Sequence, residues 1–254
     1  MLRLRQICLV ASELEPTVAD LEDAFGIAAC HHDPAVETFG LVNALLPVGS
    51  NFLEVVAPFR DGTAAGRYLD RRGGDGGYIV ILQCDDVGER LARCQRLGVR
   101  IVNHMRYGTY EGLQLHPRDT GGCMLETSWS AGDDSPDGPW HPAGDAWANA
   151  VRTDRVTAIA AAELQSDDPA ALAARWGHIL AIDPVDDGAG AALLPLENAV
   201  LRFVAARDGR GEGLGGVDLA VADRAAVIDA AQARGCPVDG DTVTVCGTRF
   251  TLIG

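Results

Sequence analysis

A repeat measured in residues constrains this chain more than any other feature. Gln6 and Glu54 each lie in a short apolar run, and 48 residues separate them. Tyr78 and Glu126 lie in two similar runs, also 48 residues apart, so the second pair follows the first after 72 residues. Strands at this separation can be neighbours in one sheet, where alternation lets both side chains of a pair point to one face. The repeat therefore predicts four polar groups, two of them acidic, that face one cavity.

The presence of two acids in apolar strands requires an explanation, because burial of a carboxylate in a core strand is energetically costly. One interpretation gives Glu54 and Glu126 a function in the cavity. The alternative is that neither acid has a function in the cavity: both side chains reach solvent, or they pair with arginines such as Arg106 or Arg118. If both acids are buried without a metal ion, they cannot both remain ionised cheaply, and they would form a pair able to transfer a proton.

Composition excludes several classes of protein. A net charge of −15 makes nucleic acids and anionic membranes poor partners. All 21 basic residues are arginines, so Schiff-base lysine chemistry and a lysine-bearing phosphate loop are excluded. The seven cysteines form no C-x-x-C pair, which favours reduced thiols over a disulfide framework. No secretion signal or membrane-length apolar run is seen, so we expect a cytoplasmic protein.

Hydrophobic periodicity predicts the same order of elements twice in the first half. Each repeat begins with a strand, continues with a helix and ends with three strands. The predicted elements of the first repeat are a strand at 2–11, a helix from 16 to 25, a weaker strand within 28–36, and strands at 39–47 and 52–57. Those of the second are a strand at 78–83, a helix capped by Asp85-Asp86 that ends at Gly98, and strands at 99–103, 113–116 and 123–127.

The chain length of 254 residues suits two domains of ordinary size. Residues 131–150 are rich in proline, glycine and aspartate and are predicted to link them. The first domain then covers 1–130 and carries the candidate site, and the second covers 151–254.

The second domain repeats the pattern in a degenerate form. Arg202 takes the place that matches Glu54, Thr251 takes the place that matches Glu126, and the two opening strands offer Ala158 and Gly216. This set could hold no metal ion. We therefore predict a structural or lid-like partner domain.

Four segments of the chain resemble one known family. Opening strands are represented by Arg5-Gln6-Ile7-Cys8-Leu9-Val10 and Gly77-Tyr78-Ile79-Val80-Ile81, and closing strands by Asn51-Phe52-Leu53-Glu54-Val55-Val56-Ala57-Pro58 and Gly122-Cys123-Met124-Leu125-Glu126. With the βαβββ order, they resemble the vicinal oxygen chelate superfamily, which includes glyoxalase I, methylmalonyl-CoA epimerase, extradiol dioxygenases and bleomycin-resistance proteins. The resemblance implies an α+β fold of four βαβββ units in two domains with cupped mixed sheets.

The resemblance also implies a divalent metal ion (Mn, Mg, Ni or Zn) held by the first and last strands of paired units. The matching positions are Gln6, Glu54, Tyr78 and Glu126, of which Tyr78 departs from the histidine usual in the family. A phenol is a poor ligand at neutral pH. The predicted metal set is therefore Gln6, Glu54 and Glu126, a set without imidazole that favours a hard ion such as Mn or Mg.

Four residues are predicted to contact substrate: Tyr78, His104, His116 and Arg118. His116 ends a strand, and the sequence His-Pro-Arg-Asp-Thr-Gly-Gly that it begins is similar to a hairpin of several family members. Two alternative roles for His116 are that of a metal ligand in place of Tyr78 and that of a structural hydrogen-bonding residue. His104 is predicted to line the pocket wall.

The resemblance implies a glyoxalase-like lyase or isomerase acting on a small carbonyl, thiohemiacetal or thioester. Glu54 or Glu126 would transfer the proton and an enolate would be stabilised, with the metal ion as Lewis acid if one is bound. The alternative is a non-catalytic protein of the bleomycin-resistance type that sequesters a small molecule. In both cases we expect a small-molecule ligand. The sequence does not decide whether the protein forms a homodimer.

Overall fold

The computed structural model describes residues 1–132, 134–188 and 190–254. Asp133, in the predicted linker, and Ala189, in the predicted second domain, lie outside the described residues. The strands of the first half are β1 (Leu2–Val10), β2 (Leu41–Val48), β3 (Asn51–Pro58), β4 (Gly76–Cys84), β5 (Ile101–Arg106), β6 (Tyr110–Leu115) and β7 (Met124–Ser130). Those of the second half are β8 (Val156–Ser166), β9 (Val185–Asp186), β10 (Ala192–Pro195), β11 (Val200–Ala205), β12 (Gly213–Val221), β13 (Val238–Asp239), β14 (Thr242–Val245) and β15 (Thr248–Ile253).

Helices complete the α+β fold that the sequence predicts. They are α1 (Leu14–Phe25), α2 (Ala64–Arg72), α3 (Val87–Leu97), α4 (Pro169–Leu180) and α5 (Arg224–Arg234). The strands form two mixed sheets, one of seven strands and one of eight. In the part of the chain that the structure describes, no helix is long and apolar enough to cross a membrane.

Each βαβββ repeat pairs its opening strand with its closing strand in parallel. The pairs are β1 with β3, β4 with β7, β8 with β11, and β12 with β15. The remaining strands of each repeat add antiparallel neighbours, so that β2 pairs with β3, and β6 pairs with both β7 and β5. Opening and closing strands are therefore direct neighbours in every repeat, as the spacing of the sequence predicted.

The first repeat lacks one predicted strand. Within 28–36, only a single bridge between His31 and Leu45 forms. A 3-10 helix then runs over Pro34–Phe39, with the Asp33 side chain accepting a hydrogen bond from the Ala35 amide at 2.9 Å. This local turn uses residues that a strand would need, because proline and a capping aspartate favour a helical turn.

Helix α2 lies between the two predicted repeats, in a region to which sequence analysis assigns no element. The Thr63 hydroxyl caps the helix by accepting a hydrogen bond from the Gly66 amide at 2.9 Å. Tyr68 and Leu69 are buried. Gly73 ends the helix in the left-handed conformation, at φ 72°. By contrast, the predicted aspartate cap of α3 is confirmed, since the Asp86 carboxylate accepts a hydrogen bond from the Glu89 amide at 2.9 Å.

The chain forms two compact units, each built from three segments. The Glu126 unit consists of Met1–Arg5, Tyr78–His141 and Ala161–Gly215, and the Glu54 unit consists of Gln6–Gly77, Pro142–Ala160 and Gly216–Gly254. The domains at 1–130 and 151–254, with a linker at 131–150, stay a prediction.

Candidate active site

Glu126 lies in the middle of β7 and is buried, with 2% of its surface exposed. It pairs with Ile81 of β4 on one side and with Gln114 of β6 on the other. Because side chains of directly paired residues share a face, Gln114 and Glu126 project together from the sheet.

Three neutral groups surround the Glu126 carboxylate. Gln114 donates from Nε2 to Oε2 at 2.8 Å, and Oε1 accepts hydrogen bonds from the Tyr110 hydroxyl at 2.5 Å and from Ser128 Oγ at 2.6 Å. The two hydroxyl oxygens lie 2.9 Å apart. Both carboxylate oxygens therefore accept hydrogen bonds from hydroxyl and amide donors.

The alternative in which Glu126 reaches solvent or pairs with an arginine is wrong. The carboxylate does not reach solvent, and it has no ion pair with any residue in the described ranges. Arg106 pairs instead with Glu111, at 3.2 Å from Nε to Oε1, and Arg118 is exposed.

Gly112 of β6 leaves the space that this carboxylate occupies. A Cβ atom at position 112 would lie 2.9 Å from Glu126 Oε1, 2.8 Å from Met105 Cε and 3.0 Å from Tyr110 Cε1. These separations are too short for ordinary packing, so any side chain at this position would displace the carboxylate or its neighbours.

Glu54 has a comparable setting in its own unit, with 7% of its surface exposed. Gln6 donates from Nε2 to Oε2 at 2.8 Å, which confirms that this predicted pair shares a face. Asn43 of β2 donates from Nδ2 to Oε1 at 2.7 Å. The side-chain oxygen Oδ1 of Asn43 in turn accepts a hydrogen bond from the Asp33 amide at 2.9 Å, which fixes the orientation of the donor.

The predicted face of Tyr78 is wrong by one residue of register. Ile81 pairs with Glu126, so alternation places Ile79 on the face of Glu126 and Tyr78 on the opposite face. In the first repeat Cys8 pairs with Glu54, which places Gln6 on the same face as Glu54. Although the residues of both pairs are 48 positions apart, the opening strand of the second repeat is therefore shifted by one residue, relative to its closing strand, compared with the first repeat.

The structure does not bring His104, or the turn residues His116 and Arg118, to the Glu126 carboxylate. His104 pairs with Leu113 and so faces away from Glu126. Its Nε2 atom lies 2.7 Å from Glu111 Oε1, and this hydrogen bond is the main cause that lowers the pKa of Glu111. His116 lies in the turn after β6, where its Nδ1 atom accepts a hydrogen bond from the Arg118 amide at 3.1 Å. Substrate contact by these residues stays a prediction.

The turn after β6 is stabilised by an ion pair. Arg100 donates to Asp119 from its backbone amide and its guanidinium group, at 2.6 to 2.9 Å. The hydrogen bonds from Arg100 lower the pKa of Asp119 to about 2. The turn is therefore held by charge at neutral pH, which is a structural role.

In the third repeat, Arg202 meets an acid that sequence analysis overlooked. Arg202 pairs with Glu163 of β8, not with Ala158, and Arg202 Nη1 lies 2.7 Å from Glu163 Oε2. Arg207 lies further from the same oxygen, at 3.7 Å. Arg202, which occupies the place that matches Glu54, therefore forms an ion pair with Glu163.

The donors around the two acids do not fit a metal ion. Gln6 and Asn43 present N–H groups to Glu54, and each oxygen of Glu126 already accepts a hydrogen bond. Among the residues that the structure describes, no group of three or more His, Cys, Asp or Glu could hold a metal ion. The set Gln6, Glu54 and Glu126 stays a prediction, and we derive no step through a metal.

Sequence analysis missed the three partners of Glu126, although the pattern contained a signal for one of them. Ser128 follows Glu126 by two residues and so shares its face. Gln114 and Tyr110 are four residues apart on β6, and both face Glu126 once the β6–β7 register is fixed. That register is not readable from spacing alone.

Comparisons with known proteins agree with this architecture. The model of the glyoxalase-like domain family matches residues 7–180. No curated protein matches the chain. A solved structure of a hypothetical protein from Staphylococcus aureus, 12% identical, covers 100% of this chain and 99% of its own, with a TM-score of 0.67. This likeness shows the fold alone.

Two epimerases align with half of the chain. A methylmalonyl-CoA epimerase variant from Streptomyces coelicolor, in complex with 2-nitronate-propionyl-CoA, is 25% identical and covers 51% of this chain and 97% of its own, with a TM-score of 0.46. The enzyme from Mycobacterium tuberculosis is 23% identical, with coverages of 50% and 87% and a TM-score of 0.45. The match of the family model, over more than half of the chain, decides the family. The chain therefore belongs to the glyoxalase-like domain family, and its resemblance to the vicinal oxygen chelate superfamily is confirmed.

Proposed function

We propose that this protein is a glyoxalase-like lyase or isomerase in which Glu126 exchanges a proton with a small carbonyl, thiohemiacetal or thioester substrate. The observation that carries the proposal is the carboxylate of Glu126, buried at 2% exposure among three neutral donors and without an ion pair among the described residues. A carboxylate in this setting can gain a proton without leaving an opposite charge buried and unpaired.

The chemistry requires a C–H bond next to a carbonyl group. Glu126 would take the proton while the electron pair of the C–H bond forms a carbon–carbon double bond and the π pair of the carbonyl group moves to its oxygen, which gives an enolate. Return of the proton to the opposite face of the same carbon, or to a neighbouring carbon, restores a carbonyl group and completes an isomerisation. Glu54, with Gln6 and Asn43 as its donors, is the second acid that we propose for proton transfer.

Proton exchange in D2O tests this proposal and does not depend on the identity of the natural substrate. The probes are a 2-oxoaldehyde, its thiohemiacetal with a small thiol, and an acyl thioester with a hydrogen on its α-carbon, each followed by NMR for loss of the C–H signal. We expect exchange with at least one probe, and we expect Glu126→Gln to slow that exchange by about 100-fold or more.

Glu111→Gln is the matched control, because Glu111 lies on β6 in the same unit but faces away from Glu126. This variant should exchange at the rate of the unmodified protein. Equal exchange rates for Glu126→Gln and the unmodified protein would refute the role of Glu126.

Sequestration of a small molecule is the second candidate, and one observation favours it. Tyr107 and His141 are exposed, and their rings lie 6.2 Å apart with an interplanar angle of 17°. Exposed, nearly parallel rings suit the face of a planar or cationic ligand. Saturable binding of a probe by calorimetry, with no exchange of any probe, would favour this function over catalysis.

A further inference from the structure

The segment 134–141, here called the strap, is fixed by arginines of β1. Arg3 donates from Nη1 to the Asp134 carbonyl oxygen at 3.0 Å. Arg5 donates to the carbonyl oxygens of Pro136 and Gly138, the latter at 2.6 Å. A segment rich in glycine and proline is thus ordered by hydrogen bonds from guanidinium groups to its backbone.

Arg5 is an unusual anchor because it is completely buried. Burial, with a smaller contribution from the charge of Arg3, lowers the pKa of Arg5 to about 10. A buried cation is costly unless its N–H groups are satisfied. The carbonyl groups of the strap supply acceptors, and the guanidinium group also lies 5.6 Å from the centre of the Trp140 ring.

The strap ends against Tyr110. Trp140, with 1% of its surface exposed, meets the Tyr110 ring edge-on at 5.7 Å and an angle of 81°. The His141 ring lies 5.8 Å from Tyr110 at 25°, and its backbone amide donates to Ser130 Oγ at 3.2 Å. Tyr110 is therefore held by one ring at its edge and by another nearly parallel to it.

We infer that Trp140 and Arg5 are positioning residues: Arg5 fixes the strap, the strap holds Trp140 against the Tyr110 ring, and Tyr110 holds its hydroxyl group on the Glu126 carboxylate. The inference rests on the proposed function for its catalytic meaning, but its structural claim concerns only the hydrogen bond at Glu126. A tilt of the Tyr110 side chain about its Cα–Cβ bond would move the hydroxyl group, because the ring and the oxygen form one rigid body, and the rings of Trp140 and His141 oppose that tilt.

Infrared spectroscopy of protein labelled with 13C-glutamate reads the Glu126 carboxylate directly and needs no substrate. Glu126→Gln identifies the band by its loss. Tyr110→Phe removes the hydroxyl donor and should shift the band. Trp140→Ala should shift the band in the same direction, and Trp140→Phe should restore it because an aromatic ring again supports Tyr110.

The double variant Trp140→Ala/Tyr110→Phe separates positioning from general loosening. If Trp140 acts through the Tyr110 hydroxyl, the double variant has the band of Tyr110→Phe alone. Trp176→Ala is the matched control, because Trp176 is a fully buried tryptophan of the same unit that packs on Phe203. It should leave the band unchanged.

Arg5→Met keeps the test valid if Trp140→Ala does not fold. It retains much of the length of the side chain but removes the donors to Pro136 and Gly138, and we expect the same direction of shift. An unchanged band in Trp140→Ala or Arg5→Met, an equal shift in Trp176→Ala, or additive shifts in the double variant would overturn the inference. Proton exchange that is insensitive to Glu126→Gln, with the band shifts as expected, would instead refute only the proposed function.

Discussion

Glu126 and Glu163 are both buried strand acids of the same compact unit, but their partners differ in charge. Glu163, with 3% of its surface exposed, lies 2.7 Å from the guanidinium group of Arg202. Glu126, exposed to 2%, accepts hydrogen bonds from Tyr110, Gln114 and Ser128, none of which is charged. Two repeats of one framework thus bury the same functional group in two electrostatic settings.

The difference decides what each acid can do. Protonation of Glu163 would remove the anion that lies 2.7 Å from the guanidinium group of Arg202, so it would break the ion pair. Protonation of Glu126 leaves no opposite charge behind. A degenerate repeat can therefore bury an acid that is not suited to proton transfer, because an arginine in the place of the closing-strand acid pairs with an acid of the opening strand.

Removal of Arg202 should have the largest effect on stability. Arg202→Met leaves the Glu163 carboxylate buried without its close cation, and we expect a loss of about 3 kcal/mol in the free energy of unfolding. Urea unfolding followed by circular dichroism measures it. Arg207→Met is the matched control, because Arg207 is 60% exposed and 3.7 Å from the same oxygen. Its effect should stay below about 1 kcal/mol. Equal effects would abolish the distinction between Glu163 and Glu126.

Filling the space beside Glu126 should have the next largest effect. Gly112→Ala places a methyl group against the carboxylate and the Tyr110 ring, and we expect a loss of about 2 kcal/mol in the same measurement. Gly88→Ala is the control, because Gly88 lies in helix α3 and a Cβ there meets only the Asp86 carboxylate oxygen, at 3.2 Å. The control should be neutral or stabilising. A neutral Gly112→Ala would mean that the setting of Glu126 is loosely packed.

The same substitution at both acids compares them directly. Glu126→Gln keeps neutral partners on every side, and we expect a cost of about 1 kcal/mol. Glu163→Gln should cost more, because Arg202 loses its counterion. Exchanging the two groups in Gln114→Glu/Glu126→Gln should recover most of the stability lost in Glu126→Gln. A larger loss in Glu126→Gln than in Glu163→Gln would contradict the comparison.

The pH dependence of the Arg100–Asp119 turn should give the smallest effect. Hydrogen bonds lower the pKa of Asp119 from 3.8 to about 2, so the stabilisation is present above pH 3.8 and is lost as the pH falls towards 2. Asp119→Asn lacks this contribution. The difference in stability between the two proteins should therefore shrink over that pH range, as measured by unfolding at a series of pH values. A constant difference would show that the ion pair is not its source.

Local patterns in the sequence predicted local structure well. The aspartate cap of α3 lies where expected, because a carboxylate directly before an amphipathic segment satisfies free backbone amides, and α4 and α5 begin with aspartate caps of the same kind. The βαβββ order follows from hydrophobic periodicity in the same way. Helix α2 was missed because the segment 64–72 is short and strongly polar, and its buried residues become evident only where they pack.

Of two predicted side-chain faces, one is right and one is wrong, and the reason is geometric. The pairing of Gln6 with Glu54 is confirmed by a hydrogen bond, whereas Tyr78 faces away from Glu126. A spacing along the chain counts residues, but the face of a side chain depends on the register between strands, and a shift of one residue reverses it.

The family, the repeated βαβββ order and the presence of two acids inside closing strands could all be read from the sequence alone. The family is implied by the resemblance of four segments to known members, whereas the βαβββ order and the position of the acids follow from hydrophobic periodicity and capping residues, which act over a few neighbouring residues. Only the tertiary structure decided which groups surround Glu126, how Trp140 and Arg5 reach Tyr110, and that Glu163 meets Arg202. Each of these contacts joins residues from different strands or segments, and their partners depend on strand register and on the path of the chain between strands.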